Sequence, residues 1–149
     1  KYAYDFGDTG NLTPLVKMHT LGSAFIPPTS HAGGLRYHGM APLVSQLVNL
    51  GEVMPTAYTQ TECFDAGVTF ALAEGILPAP EANHAVKGAI TEALRCKEEG
   101  KSEVILFNLC GHGYFDMQAY IDYASGNLQD HPYDESEVAM ALAGLPSVA

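Results

Sequence analysis

Val104-Ile-Leu-Phe-Asn-Leu-Cys-Gly-His-Gly113 is the stretch whose reading decides the fold. Its first six residues form an apolar run broken only by Asn108, with the charged turn Gly100-Lys-Ser-Glu103 before it. A run without polar alternation suits a strand buried on both faces, the condition found in parallel sheets. The small residues that follow lie at the carboxyl end of that strand, where open α/β sheets bind ligands and where a bare backbone allows close approach. The expected fold class is α/β, with helices packed on a small parallel sheet.

Working outward from that strand, helices are expected on both sides. Upstream, Ala82, Ala85, Val86, Ala89, Ile90, Ala93 and Leu94 repeat at three and four residues, with Glu81 in the first turn and Arg95 and Lys97 in the last, which predicts a helix ending near Gly100. Before it, Thr59-Gln-Thr-Glu62 reads as a capping box that opens a helix ending near Gly75. Pro42, the apolar stripe Leu43, Val44, Leu47, Val48 and Leu50, and Gly51 predict a further helix, largely buried. Leu12, Leu15, Val16, Met18 and Leu21, between Pro14 and Gly22, fit a short first helix. The segment Phe25 to Gly34, rich in proline and glycine, reads as an ordered loop. Downstream, a helix is expected over 116–123, followed by an acidic exposed tail with a weak helix around Val138 to Leu142.

Composition narrows the function classes. The 149 residues are 47% hydrophobic and 16% charged, enough for one domain and incompatible with a disordered chain. Seven basic against 17 acidic residues give a net charge of −10, which repels a phosphate backbone and argues against nucleic-acid binding. No run approaches a membrane span, and Lys1-Tyr-Ala-Tyr-Asp5 lacks a signal-peptide layout. Three widely spaced cysteines without a C-x-x-C pair indicate a reduced, cytoplasmic protein. The opening on Lys1 leads us to expect part of a longer chain.

Several local groups carry chemistry, each with a plain structural alternative. Glu81-Ala-Asn-His84 sets a carboxylate and an imidazole on one helix face, although the helix dipole alone favours an anion there. His31 and His38 flank Gly33-Gly-Leu-Arg-Tyr37 and with Glu81 compose a metal-hydrolase reading, against which loop histidines commonly bond to backbone. Cys110 beside His112 reads either as a thiol nucleophile or as a buried thiol in a turn.

Taken together, Tyr4-Asp-Phe-Gly-Asp8, Leu12-Thr-Pro-Leu15, His31-Ala-Gly-Gly-Leu-Arg-Tyr-His-Gly39, Glu74-Gly-Ile-Leu-Pro-Ala-Pro-Glu-Ala-Asn-His-Ala85 and Ile105-Leu-Phe-Asn-Leu-Cys-Gly-His-Gly113 closely resemble the C-terminal part of the tryptophan synthase beta chain, best its second, stand-alone type. The resemblance runs in order from about Tyr2 to Tyr123. It implies a fold-type II pyridoxal-phosphate enzyme that joins indole to L-serine by β-replacement. It places Glu81 beside the cofactor ring and Cys110 where the family normally has a serine bonded to the pyridine nitrogen, with Gly111 and Gly113 covering the ring edge. A thiol in that place is a weak donor and acceptor and orients the ring less firmly. The resemblance also implies a monovalent cation held by backbone carbonyls, at Phe25 and Pro27, with Ala24 where many beta chains carry aspartate.

The Schiff-base lysine and the glycine-rich phosphate loop of that family have no counterpart here. Lys1, Lys17, Lys87, Lys97 and Lys101 stand in none of the required contexts. We therefore expect no catalytic residue in this chain and no activity from it alone. It reads as residues 1–124, the beta-like region, followed by the acidic tail 125–149. The expected partners are indole, L-serine, and either the missing N-terminal half or a second copy of the chain. The alternative is a separately expressed, non-catalytic binding or assembly module.

Overall fold

The computed structural model describes residues 1–148, which form an α/β chain of one small sheet and five α-helices. Two compact units are present. The first comprises Lys1–Thr29, Arg36–Pro55 and His131–Ala149, and the second Ser30–Leu35 and Thr56–Asp130.

The sheet lies in the first unit and is a hairpin. Strand β1 (Tyr2–Asp5) pairs antiparallel with β2 (Val16–His19), Tyr2 facing His19 and Asp5 facing Val16. Two sequence expectations are corrected here: the sheet of the described residues is antiparallel, not parallel, and Val16 to His19 is a strand, not part of a helix. Val16-Lys-Met-His19 alternates, with Met18 buried and Lys17 exposed, and that period of two is what a half-buried strand requires. Asp8 stabilises the connecting loop, accepting the amide protons of Leu12 at 3.1 Å and Thr13 at 2.8 Å.

Helix α1 (Pro42–Asn49) starts on proline at its first position, where the missing N–H costs nothing. It packs on β2 through buried Ser45, whose Oγ accepts the His19 amide proton at 3.0 Å. The expectation that α1 is largely buried is overturned: Ser45 is its only buried residue, and Leu43 is 82% exposed. An apolar stripe records which face can be covered, not what covers it. Helix α5 (Glu135–Ala143) is capped by Asp134, which accepts the Ser136 amide proton. It passes so close to Gly22 that a Cβ there would lie 2.6 Å from the Ala141 carbonyl oxygen. Gly22 also has φ +101, so only glycine serves there.

The second unit is helical. Helix α2 (Gln60–Glu74) opens on the capping box, with Thr59 donating its amide proton to Glu62 and accepting the Glu62 amide proton in return. It closes on Gly75 in the left-handed conformation, φ +72. Helix α3 (Pro80–Glu98) lies against it, and Gly67 makes the approach possible, since a Cβ at that position would fall 2.1 Å from Asn83 Oδ1. Helix α4 (Met117–Ala124) adds Ala119 and Tyr120 to a core centred on Phe64, whose ring meets Tyr120 edge-on at 4.9 Å.

The expected strand over 104–109 is absent. Those residues have no regular secondary structure, and Phe107 rests edge-on against Phe70 of α2 at 5.8 Å, while Val104 and Leu106 are 100% and 93% exposed. An apolar run forms a buried strand only where neighbours supply ladder partners on both sides, and no strand of the described residues lies beside this one.

Candidate functional site

The second unit brings two of the singled-out motifs together. The Ala79 amide donates to the Gly111 carbonyl at 2.9 Å, and the Gly113 amide donates to the Leu77 carbonyl at 2.8 Å, so that Pro78 and His112 face each other as an isolated antiparallel bridge. The start of α3, which carries Glu81, is thereby fixed against the turn Cys110-Gly-His-Gly113. The turn must be glycine at Gly113, where a Cβ would meet the Pro78 carbonyl oxygen at 2.4 Å and the Tyr120 ring at 2.9 Å.

A buried hydrogen-bonded group anchors this bridge from below. Tyr120 donates its phenolic proton to the Pro78 carbonyl at 2.6 Å, and the Asn83 amide nitrogen donates to the Tyr120 oxygen at 2.9 Å. Asn83 is fully buried, and burial pushes the Tyr120 phenol above its ordinary pKa. Each polar atom removed from water here has a partner, which makes the group a rigid support.

Glu81 occupies the second position of α3, in the first turn, where amide protons lack helical partners and an anion is favoured. Its Oε1 accepts the Gly34 amide proton at 2.9 Å, from the 3-10 turn Gly33–Leu35. That turn is in turn fastened to α2: the His31 amide donates to Gln60 Oε1 at 2.8 Å, and the His31 ring meets Phe64 edge-on at 6.4 Å. Gln60 also donates to the Gln129 carbonyl at 2.8 Å. Among the described residues, Glu81 Oε2 and Cys110 Sγ accept and donate no hydrogen bond, and Cys110 is exposed. The partly exposed Glu81 carboxylate, with one oxygen uncommitted, and the exposed Cys110 thiol, in a turn whose Gly111 and Gly113 carry no side chain, make a donor set of a kind that suits a planar heteroaromatic ligand.

The remaining candidates are engaged in other ways. His84 spends its Nδ1 on the Pro80 carbonyl at 3.1 Å, and His112 accepts the Tyr114 amide proton at 3.3 Å. His38 Nε2 bonds the Phe6 carbonyl at 2.8 Å in the first unit. Among the described residues no three His, Cys, Asp or Glu side chains are gathered to hold a metal ion, so the metal-hydrolase reading lacks a centre. Phe25 is buried in the first unit, its ring 5.7 Å from that of Tyr133, and the Pro27 carbonyl accepts Arg36 Nη2 at 3.0 Å. Of the lysines, Lys87 lies 3.9 Å from Glu62 and 5.7 Å from the Tyr58 ring centre, Lys101 pairs with Glu99 at 2.6 Å, and Lys17 covers Tyr2 at 4.9 Å. No helix among the described residues is long and apolar enough to cross a membrane.

Sequence reasoning missed Gly34, Gln60, Asn83 and Tyr120 as supports. Only Asn83 had a local signal, the isolated Gly67 inside a helical pattern, which indicates close packing without naming the neighbour.

No family model matches the chain. Individual proteins do. It is 63% identical over 130 residues to tryptophan synthase beta chain 2 of Aquifex aeolicus, covering 87% of this chain and 30% of that protein. It is 59% identical over 143 residues to the tryptophan synthase beta chain of Thermococcus onnurineus, covering 96% and 32%. It is 58% identical over 145 residues to tryptophan synthase beta chain 2 of Pyrococcus furiosus, covering 97% and 32%. The chain thus spans about a third of the length of the curated relatives it matches. Over the stretch it covers, this chain belongs to the tryptophan synthase beta chain family.

Proposed function

We propose that this chain is the C-terminal, cofactor-facing part of a cytoplasmic pyridoxal-phosphate enzyme that joins indole to L-serine by β-replacement, and that alone it does not turn over. The observation that carries the reading is the bridge between Leu77–Ala79 and Gly111–Gly113, which sets the Glu81 helix start against the Cys110 turn. Family membership supports the reaction class.

Bound pyridoxal phosphate supplies an electron sink for the amino-acid substrate. The residues that would hold it are Glu81, Cys110, Gly111 and Gly113. Gly111 and Gly113 let the turn pack closely on the segment before α3, and a flat ring would lie against their backbone. Cys110 offers the ring a weak hydrogen-bonding partner in place of a hydroxyl. Glu81, with Oε1 fastened to Gly34, holds a proton or an orienting charge on Oε2. Residues 1–124 carry this role, with 125–149 as tail. The lysine and the phosphate-binding loop come from chain outside these 149 residues.

The experiment is a hybrid in which this chain replaces the matching residues of the Aquifex aeolicus protein, assayed for tryptophan formation from indole and serine. The reading predicts activity in the hybrid and a loss of about 100-fold or more with Glu81→Ala. A hybrid that folds, binds the cofactor and retains full activity with Glu81→Ala contradicts it.

A second reading, a non-catalytic assembly module, is favoured by the bare apolar face at Val104 and Leu106. Light scattering separates the two: a stable, concentration-independent oligomer of the chain favours the module, and a monomer removes it.

A further inference from the structure

Arg36 is held in an unusual way for a surface arginine. Its Nε donates to the Pro28 carbonyl and its Nη2 to the Pro27 carbonyl, both at 3.0 Å. Neither oxygen accepts from any other group among the described residues. The ion pairs of those residues all involve Lys87, Arg95 or Lys101, so the Arg36 guanidinium has no carboxylate partner. All three residues belong to the first unit.

A guanidinium is planar, always charged, and presents two donors in a fixed fork, which here spans two successive carbonyl oxygens. Carbonyl oxygens turned to one cation are what an alkali-metal ion also needs. The two do not fit together at Pro27: a metal ion on that oxygen would lie within a few ångströms of the guanidinium, and like charges at that range repel strongly. Phe25 leaves only its carbonyl oxygen to such an ion, its ring being buried against Tyr133 and its amide spent on the Gly22 carbonyl at 2.9 Å, and one carbonyl does not offset that repulsion.

The geometry points to Arg36 as a tethered cation that takes the place of a monovalent metal ion in the Phe25 to Pro28 loop, so that this loop binds no alkali ion. The inference uses the family's cation only as the expectation it replaces. It stands or falls on ion binding and not on tryptophan formation.

The test compares thermal midpoints of the purified chain in sodium, potassium, caesium and tetramethylammonium chloride at one ionic strength, with sodium-23 relaxation as a direct reading of bound ion. The expected result is one midpoint in all four salts and no excess relaxation that potassium displaces. An alkali-specific rise in midpoint, or displaceable relaxation, overturns the inference. Arg36→Met should lower the midpoint by ~2–4 °C through loss of the carbonyl fork, with Arg36→Lys in between. An unchanged midpoint in Arg36→Met also overturns it. Should the methionine variant fail to fold, the ion series on the unaltered chain decides alone.

Discussion

The Gly34 amide and Glu81 Oε1, 47 residues apart in sequence, are joined at 2.9 Å, and this bond links the 3-10 turn to the first turn of α3. A charged acceptor makes it stronger than a neutral pair, although partial exposure weakens it. Glu81→Ala should therefore speed hydrogen exchange of the Gly34 amide by about 5- to 10-fold. Glu81→Gln, which keeps an acceptor, should have a smaller effect. Unchanged exchange in Glu81→Ala would show that Gly34 is held by something else.

The contact between Gly67 and Asn83 predicts strong coupling. Gly67→Ala pushes a methyl group into a fully buried amide and should cost about 2–3 kcal/mol. Asn83→Ala removes two hydrogen-bonding groups but opens space, and should cost about 1–3 kcal/mol. Because each change relieves part of the other, the double variant should be less destabilised than the sum, as measured by urea unfolding. Strict additivity would contradict the packing described. Tyr120→Phe, which frees the Pro78 carbonyl, should cost about 1–2 kcal/mol and speed exchange at Ala79 and Gly113.

Thiol chemistry separates the three cysteines. Cys110 is exposed, whereas Cys63 and Cys96 are buried. Burial, with help from the Glu62 charge, pushes the Cys63 thiol up to about 12. An aromatic disulfide reagent at mildly alkaline pH should therefore titrate one thiol in the native chain and three in denaturant. A raised thiol pKa favours the folded state below the ordinary thiol value, and that contribution is lost as pH rises toward 12. Rapid native labelling of Cys63 would contradict its placement.

Acid should loosen the start of α2. Burial works against the Asp130 carboxylate, but the Thr61 hydroxyl and amide, at 2.6 and 2.9 Å, outweigh it and hold the carboxyl below its usual range. Its stabilising effect is therefore present above the ordinary carboxylate pKa and is lost as pH falls through the lowered value. Asp130→Asn should cost about 0.5 kcal/mol near neutral pH, solvent screening included, and nothing once the wild-type carboxylate is protonated. A pH-independent difference between the two proteins would contradict this assignment.

Elements defined by local chemistry were legible from sequence. The capping box at Thr59 and Glu62, the proline at 42, and the stops at Gly51 and Gly75 announce themselves within a few residues of where they act. Elements defined by partners were not. Val16 to His19 becomes a strand because Tyr2 to Asp5 lies beside it, and Val104 to Leu109 fails to become one because no described strand does. The site follows the same division. Glu81 and Cys110 stand out through motif resemblance, whereas the bonds of Gly34 to Glu81 and of His31 to Gln60 span distances in sequence that no local pattern encodes.

The central claim is that this chain supplies ring-facing residues for pyridoxal phosphate and not the lysine that anchors it. Borohydride reduction of the purified chain with pyridoxal phosphate, followed by peptide mass mapping, tests it most directly. The account predicts no lysine labelled near one adduct per chain, and, in the Aquifex aeolicus hybrid, a single label outside the residues of this chain. One stoichiometric adduct on Lys1, Lys17, Lys87, Lys97 or Lys101 would contradict it.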